Sequence, residues 1–306
     1  MGYVIASRLG QAVLVLLGTS LIVFLLVNLA GGDIALGLLP ETASPEQVAA
    51  YRAKLGLDQP PIIQYFEWVR GAVTGDFGAS FKTNTSAMDM VLERLPATVQ
   101  LAVAALLIAL AVSLPLGILA AVRRGSIWDR MSMGLALLGQ SVANFWLGLM
   151  LILVFAVLLG WLPVSGRDDP LGLILPAVTL ATGPMAQFSR MIRSGMIEVL
   201  RENYIRTAYA KGLRESVILN RHALRNALLP FVTIVGLELG TLLNGSVVIE
   251  TVFAWPGIGF LLVQSLSARD LPVIAAGVVF LAIMYVMLNL VVDLLYTVID
   301  PRVRYR

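Results

Sequence analysis

Long apolar runs separated by short charged segments dominate the pattern of hydrophobic and polar positions in this chain. Residues 226–249 form an apolar run that contains one charged residue, Glu238. The windows without any charge are residues 9–32, 95–122, 131–166, 170–189 and 271–292. About 20 apolar residues suffice for a helix to cross the hydrocarbon core of a bilayer. The pattern therefore predicts an all-α membrane protein with six transmembrane helices.

The composition fits this prediction. Of the 306 residues, 58% are hydrophobic and 13% are charged, about half the charged fraction of soluble domains. The chain has no Cys and one His, which excludes disulfides and argues against a zinc site built by this chain alone. The sequence contains no P-loop, no H-E-x-x-H and no G-x-S-x-G, so it indicates neither ATP hydrolysis nor peptidase chemistry in this chain.

The distribution of Lys and Arg orients the predicted helices. Membrane proteins carry an excess of these residues in their cytoplasmic loops. If both termini are cytoplasmic, 15 of the 22 basic residues lie in segments on the cytoplasmic side. We therefore expect cytoplasmic N- and C-termini and an extracytoplasmic loop at residues 33–94.

The extracytoplasmic loop carries helix signals of its own. Ser44 and Gln47 are spaced as a capping box, which predicts a helix that ends near Gly56. Residues 58–73 predict a second, amphipathic helix, and the turn-rich segment 75–81 predicts a short paired strand. Two interpretations stay open for the loop: a structural lid over the spans, or a docking or gating surface.

The cytoplasmic segment at 190–226 is more basic and more helix-prone than a simple connection requires. Its pattern predicts one helix that ends at Gly212 and a second that enters the fifth span with a kink at Pro230. Small residues such as Ala208 and Ala210 favour close approach by another protein. We interpret the segment as a docking elbow, and a loop that only sets topology is the alternative.

Several stretches, in order along the chain, resemble one family. "YIRTAYAKG" followed by "RHALRNALLP" resembles the cytoplasmic loop of B-type permease subunits of dipeptide and oligopeptide ABC importers. "KLGLDQP" and "GDFGASF" resemble the outer loop of that family, and "LERLPAT" resembles the start of its second span. "GSVVIETVFAWPGIGF" and the C-terminal "NLVVDLLYTVIDPRVRYR" resemble its last third. The resemblance extends over nearly the whole chain.

The resemblance implies a type I ABC importer permease fold that moves peptides across the cytoplasmic (inner) membrane by alternating access. It implies a second homologous permease, two cytoplasmic P-loop ATPases and an extracytoplasmic solute-binding protein as partners. The ATPases would bind ATP and magnesium, so no cofactor and no enzyme activity are expected in this chain. Membrane lipid is an expected partner, and nucleic acid is not.

The resemblance also assigns residues. In the family, a motif of the EAA type seats a coupling helix in a groove of the ATPase, and Arg206, Thr207 and Ala208 hold the Glu-Ala-Ala positions here. The residues that this implies for coupling to the ATPase are Tyr204, Arg206, Thr207, Ala208, Lys211 and Gly212.

Polar residues inside the predicted spans suggest a path. Glu238 lies near the middle of the fifth span, where an acid costs roughly 2.5–3.5 kcal/mol and must face protein or water. Together with Asn144 and Asn244 it either lines a translocation path or makes a hydrogen bond that fixes packing. Glu250 and Trp255 are candidates for a gate or for docking of the binding protein.

The predicted organisation divides the chain into four parts. They are a first transmembrane helix at 1–32, the extracytoplasmic loop at 33–94, a permease core at 95–300 with its coupling loop at 190–226, and a cytoplasmic tail at 301–306. The same machinery for another solute, such as a nickel complex, glutathione or an oligosaccharide, is an alternative. A stand-alone channel or secondary transporter is another, although no internal repeat supports it, and a sensor or scaffold is a third.

Overall fold

Helices make up almost all of residues 2–30, 44–54 and 58–299, the ranges that the computed structural model describes. The α-helices are α1 (Gly2–Ala30), α2 (Pro45–Lys54), α3 (Pro61–Val73), α4 (Ala87–Val122), α5 (Ile127–Ser141), α6 (Asn144–Leu151), α7 (Ile174–Val199), α8 (Asn203–Ala210), α9 (Glu215–Val217), α10 (Leu224–Ala227), α11 (Leu229–Val252), α12 (Ile258–Ala268) and α13 (Leu271–Ile299). Two π-helices (Ile152–Leu158 and Ile218–Ala223) and a 3-10 turn (Pro170–Leu173) complete them. Within these ranges the one β feature is an antiparallel bridge between Ala79 and Ser86, so the segment 75–81 pairs at Ala79, as predicted, but forms no extended strand.

The apolar windows form long helices, as the pattern predicts. Those long and apolar enough to cross a membrane are Ala87–Val122, Pro170–Val199, Ile234–Val252 and Leu271–Asp293. The pair α5 and α6 with its π-helix adds a fifth candidate if it counts as one span, and α1 contributes the shorter apolar stretch Gly10–Leu26. The all-α class is confirmed. The count of six spans and the cytoplasmic placement of the termini stay predictions.

The window at 131–166, which is longer than one helix needs and was counted as one span, does not form one straight helix. The helix breaks after Ser141, and the two halves, Ile127–Ser141 and Asn144–Leu158, meet at an angle of 102°. Val142 and Ala143 between them have extended backbone conformations. The second half widens into the π-helix Ile152–Leu158. The break lies at a polar part of the window, with Gln140, Ser141 and Asn144, but a search for charge-free windows does not register uncharged polar residues.

The described chain divides into two compact units. The first contains residues 1–97 and 257–286. Its hydrophobic core joins the start of α4 to α12 and α13, through side chains such as Val91, Ile258 and Val273. The outer helix α3 packs Tyr65 edge-on against Phe24 of α1. The capping box predicted for α2 is confirmed, since Ser44 and Gln47 exchange hydrogen bonds of 3.0 and 3.3 Å.

A buried carboxylate fixes the outer loop of this unit. Asp270, in the turn between α12 and α13, accepts a hydrogen bond from the hydroxyl of Ser80 and another, 3.0 Å long, from the backbone amide of Phe81. Both Asp270 and Ser80 are buried. The segment before α4 is therefore held to the α12–α13 turn by side-chain contacts.

The second unit contains residues 98–256 and 287–306, and α7 lies at its centre. Helices α5, α6, α10 and α11 all contact α7, which buries much of its surface. Phe188 of α7 meets Phe231 of α11 edge to face, with ring centroids 5.0 Å apart. The approach of α4 to α7 is so close at Gly117 that an added Cβ would lie 2.8 Å from the Cβ of Ile192. Small residues thus set the spacing of these helices.

The entry into the fifth span differs from the prediction. The helical turns from Glu215 to Ala227 are interrupted at Leu228, and α11 begins at Leu229. Pro230 lies in the first turn of α11, where its missing N–H costs no intrahelical bond. The predicted kink at Pro230 is therefore a break just before it.

Candidate functional site

The segment that the resemblance assigns to coupling forms a separate short helix, α8. The sequence predicted one continuous helix up to Gly212, but α7 ends at Val199 and a turn precedes α8. After this turn, α8 buries Ile205 and Ala208, and the burial of Ile205 in particular stabilises the position of α8.

The end of α8 has the geometry predicted for it. The amide of Gly212 donates to the carbonyl of Tyr209 over 2.9 Å, and the amide of Leu213 donates to the carbonyl of Ala208 over 3.3 Å. This pair of bonds is a Schellman motif, which requires a left-handed residue after the helix. Gly212 supplies it with φ = +72°. The prediction that Gly212 terminates the helix is confirmed.

The two sides of α8 differ in exposure. Tyr204, Arg206, Thr207, Tyr209 and Lys211 are exposed, so the outer side of α8 is polar, aromatic and basic. Ala208 is 6% exposed and faces inward. Its small side chain therefore serves the seating of α8 on its own protein, and it is not part of the outer surface that was expected to meet a partner. Ala210 does lie on the exposed side.

Hydrogen bonds connect α8 to the approach to the fifth span. The side-chain amide of Asn226, in α10, donates to the hydroxyl of Tyr204 over 2.8 Å and to the backbone carbonyl of His222 over 3.0 Å. The π-helix Ile218–Ala223 contacts α8 as well. Tyr204 of α8 is therefore bonded to α10, which lies directly before α11.

The candidate path residues lie on α6 and α11. Asn144 is the first residue of α6, at the break in the helix. Its side-chain amide oxygen accepts a hydrogen bond of 3.5 Å from the hydroxyl of Thr182 in α7. Glu238 is partly exposed and Asn244 is exposed on α11. Among the described side-chain hydrogen bonds, none joins Asn144 to Glu238 or Asn244. Because α6 and α11 contact each other, the three residues lie on neighbouring helices.

One side of α11 is exposed and of mixed polarity. It carries Thr241, Asn244 and Thr251 together with Leu237 and Val248, and Glu238 lies at its edge. The hydroxyls of both threonines bond to carbonyls one turn back, but lipid offers no partner to the amide of Asn244. This side of α11 therefore suits water or another polypeptide better than lipid.

Glu250 and Trp255 lie inside the protein. Glu250 is fully buried, and its Oε1 accepts hydrogen bonds of 2.9 Å from the hydroxyls of Thr98 and Ser246. Trp255 is 1% exposed, and its amide donates to the carbonyl of Glu250 over 2.8 Å. In this conformation neither side chain is accessible to a docking protein. Their predicted role in a gate stays a prediction.

The sequence reading missed an ion pair next to the coupling segment. Arg193 of α7 contacts Asp129 at the start of α5 through two hydrogen bonds of 2.6 and 2.9 Å. Asp129 also accepts a hydrogen bond from the backbone amide of Gly125. In the sequence it lies just before the charge-free window that starts at residue 131. The bonds from Arg193 and Gly125 hold the pKa of Asp129 at about 2. Ser126 signals the helix start, but no local signal identifies a partner 64 residues away.

The described residues contain no group of three or more His, Asp or Glu side chains that could hold a metal ion. The charged side chains near α8 instead line an open cleft of about 460 Å³, formed by Arg124, Arg193, Ser194, Ile197, Glu198, Arg201 and Glu202. This cleft was not predicted, because it joins the turn after α4 to the end of α7.

Two family descriptions match the chain. Residues 113–305 match the binding-protein-dependent transport system inner membrane component family, and residues 1–102 match the N-terminal family of such membrane components. The dipeptide transport system permease protein DppB of Escherichia coli (strain K12) is 42% identical over 334 residues, which cover 99% of this chain and 98% of that protein. DppB of Alkalihalophilus pseudofirmus is 40% identical over 326 residues, with coverages of 97% and 98%.

Two solved structures share the fold. A chain of the inward-facing methionine ABC transporter MetNI matches with a TM-score of 0.60 and 20% identity, over 70% of this chain and 97% of that chain. A chain of an amino acid ABC transporter with histidines matches with a TM-score of 0.52 and 15% identity, over 68% of this chain and 94% of that one. The predicted type I ABC importer permease fold is thereby confirmed.

Proposed function

The chain belongs to the binding-protein-dependent transport system inner membrane component family, and on this premise we propose that it is the permease subunit of an ATP-driven peptide importer. Family membership makes it a multi-pass inner-membrane component of an ABC transport system. Peptide as the cargo is supported by the relatives named as dipeptide permeases, which match over almost their full length.

The proposed assembly contains proteins besides this chain. It comprises a second, homologous permease, two cytoplasmic P-loop ATPases and an extracytoplasmic solute-binding protein. The ATPases bind ATP with magnesium and hydrolyse it, and this chain, whose sequence has no P-loop, performs no covalent step. The solute-binding protein delivers the peptide at the outer side.

The geometry of α8 is the observation that carries the coupling part of the proposal. A short helix that only set topology would need neither a Schellman cap at Gly212 nor a buried inner side with Ile205 at 1% exposure. Its outer side presents Arg206 and Lys211, cations that suit an acidic rim of a groove on an ATPase. Two exposed aromatic rings, Tyr204 and Tyr209, add the side chains that most often anchor interfaces.

The hydrogen bonds behind α8 supply the transmission. When the ATPases close on ATP, they displace α8, and the bond from Asn226 to Tyr204 carries the displacement to α10. Leu228, where the helix is interrupted, then allows α11 to tilt. Because α11 carries the exposed side with Asn244, its tilt opens or closes a polar path between the two permeases.

The proposal is tested by purifying the chain with its partners. The double variant Arg206→Glu, Lys211→Glu reverses both charges on the outer side of α8, where neither residue is buried, so insertion and folding should be unaffected. We expect about a tenfold loss of ATPase recovered with the tagged chain, since charge reversal at an interface weakens binding by 1.4 kcal/mol or more. ATP-dependent uptake of a labelled dipeptide into proteoliposomes should fall with it.

Arg130→Glu is the control, because Arg130 is an exposed arginine on the predicted cytoplasmic side, in α5, and belongs neither to α8 nor to the helical segments described as contacting α8. It should retain the ATPases and the uptake. Recovery of ATPases at the normal level with the double variant would exclude α8 as the coupling helix. If the wild-type chain copurifies with no permease and no ATPase, the importer assignment itself is wrong and a stand-alone transporter takes its place.

A further inference from the structure

The open cleft next to α8 has two walls from different parts of the chain. Arg124 lies in the turn between α4 and α5, and Glu198, Arg201 and Glu202 lie at the end of α7 and in the turn that leads to α8. The cleft has a volume of about 460 Å³ and is wide open to solvent, and its charged side chains Arg124, Glu198, Arg201 and Glu202 are exposed. The predicted topology puts it on the cytoplasmic side, together with α8.

The ion pair between Arg193 and Asp129 fixes the geometry of the cleft. Arg193 lines the cleft, and its two bonds to the buried Asp129 tie α7 to the start of α5. The carboxylate of Asp129 also accepts a hydrogen bond of 2.9 Å from the backbone amide of Gly125, the residue after Arg124. The positive charge of Arg193 is therefore largely neutralised, and the two walls are held at a defined separation.

The remaining four charges in the cleft have both signs. Within the described part of the chain, Arg124, Glu198, Arg201 and Glu202 make no side-chain hydrogen bond and no ion pair. The two glutamates would repel a simple anion, and the two arginines would repel a simple cation. A ligand with separate positive and negative groups is attracted by both sets. Ser194 and Ile197 provide a less polar part of the lining.

We propose that this cleft is a regulatory site for a short zwitterionic peptide, with the arginines binding its carboxylate and the glutamates its ammonium group. The cargo class proposed above has this chemistry, so the inference rests on the proposed function and extends it. The ligand is imported peptide that has accumulated in the cytoplasm. Because exposed ion pairs contribute little each, the affinity is weak, near 1 mM.

Occupancy of the cleft slows transport. A peptide bound between Arg124 and Arg201 links the α4–α5 turn to the turn that begins α8. Coupling requires α8 to move relative to the body of the permease, so a ligand that binds the resting arrangement better shifts the equilibrium towards it. ATP hydrolysis coupled to import then falls as cytoplasmic peptide rises, which gives the importer feedback by its product.

Binding to the intact transporter tests the proposal directly. The complex in lipid nanodiscs, without the solute-binding protein, is dialysed against radiolabelled dialanine in the low millimolar range. We expect Arg124→Gln and Arg201→Gln each to weaken binding roughly fivefold, because each removes one partner of the carboxylate. Arg123→Gln is the matched control, since Arg123 is the adjacent exposed arginine outside the cleft, and it should bind as the wild type does.

Two probes separate a zwitterion from other ligands. N-acetyl-dialanine amide has the same backbone without charged ends and should not bind. Inorganic phosphate at the same concentration should compete weakly. Equal binding of the capped peptide, phosphate competition as strong as that of dialanine, or binding unchanged in both arginine variants would each overturn the proposal.

The functional consequence is measured in proteoliposomes whose ATPases face outward, with the solute-binding protein and dialanine enclosed. Dialanine added outside should halve coupled ATP hydrolysis at a few millimolar in the wild type, and at about fivefold higher concentration in Arg201→Gln. If enclosed dialanine stimulates hydrolysis but external dialanine has no effect, the regulatory role is wrong and the proposed function stands. If enclosed dialanine never stimulates hydrolysis, the proposed function fails, and the dialysis result decides on the cleft.

Discussion

Gly212 ends the coupling helix through its backbone conformation alone. Its φ is +72°, and an added Cβ would meet no atom within 4 Å. Gly212→Ala should therefore destabilise the end of α8 by about 1–2 kcal/mol, the cost of the left-handed conformation for a residue with a Cβ. With a loosened cap, α8 transmits movement less rigidly. We therefore expect coupled uptake to fall while basal ATP hydrolysis persists. Uptake and hydrolysis in proteoliposomes measure this uncoupling.

A substitution of Gly212 by Asn separates the effect of the backbone conformation from the effect of side-chain size. Asn tolerates the left-handed region better than Ala although it is larger, and the space around Gly212 accepts it. Gly212→Asn should therefore couple better than Gly212→Ala. The opposite order would mean that the size of the side chain matters, for instance against the ATPase, and that the cap does not.

Single residues also show where sequence reading reaches its limit. The cap at Gly212 and the capping box at Ser44 were predictable, because both depend on neighbours within a few positions. The burial of Glu250 was not, since it depends on Thr98, which lies 152 positions away. An acid at the end of a span has the same local pattern whether it lines a gate or bonds to a neighbouring helix.

At the level of elements, Gly117 determines how closely α4 and α7 pack. At Gly117 a Cβ would lie 2.8 Å from the Cβ of Ile192 and 3.0 Å from the carbonyl oxygen of Ser189. Because the carbonyl belongs to a helix backbone, Gly117→Ala forces the helices apart, which should cost about 1–3 kcal/mol. The loss should appear as a lower midpoint of thermal unfolding of the purified complex.

Gly134 in α5 provides the control, because a Cβ there has no neighbour within 4 Å. Gly134→Ala should leave the midpoint unchanged or raise it slightly, since Ala favours a helix more than Gly does. If both substitutions had the same effect, helix propensity would explain it, and the close approach at Gly117 would have no energetic weight.

The elements differ in how well the sequence predicted them. Apolar length fixed the long helices, because a run such as 271–292 has one plausible structure in a bilayer. The breaks after Ser141 and Val199 were not predicted. The two halves on either side of Ser141 both pack on α7, and packing of this kind leaves no periodic signal in the sequence.

For the whole molecule, the exposed side of α11 decides whether the chain lines a path. Glu238→Leu should leave insertion intact, because Leu is favourable in a span, and should lower dipeptide uptake about tenfold if Glu238 contacts water or peptide in the path. Leu107→Val, at an exposed apolar position on α4, is the control and should transport normally. Normal uptake by well-expressed Glu238→Leu would exclude the path role.

The topology can be measured in the same preparations. The chain has no Cys, so a single cysteine introduced near either terminus or in the outer loop is the sole thiol of this chain. The charge distribution predicts labelling of 33–94 from outside and of both termini from the cytoplasmic side. The fold class followed from composition and pattern. The side of the membrane on which each loop lies was predicted from charge alone, and this labelling decides it.

The 102° bend between α5 and α6 bears on how the protein is made. Each half, Ile127–Ser141 and Asn144–Leu158, is only about 22 Å long, shorter than the ~30 Å of hydrocarbon. Neither half alone therefore spans the hydrocarbon. Both contact α7, which is synthesised later. The contacts that hold the bent pair therefore form only after α7 has been made, so the packing of this region is completed late in synthesis.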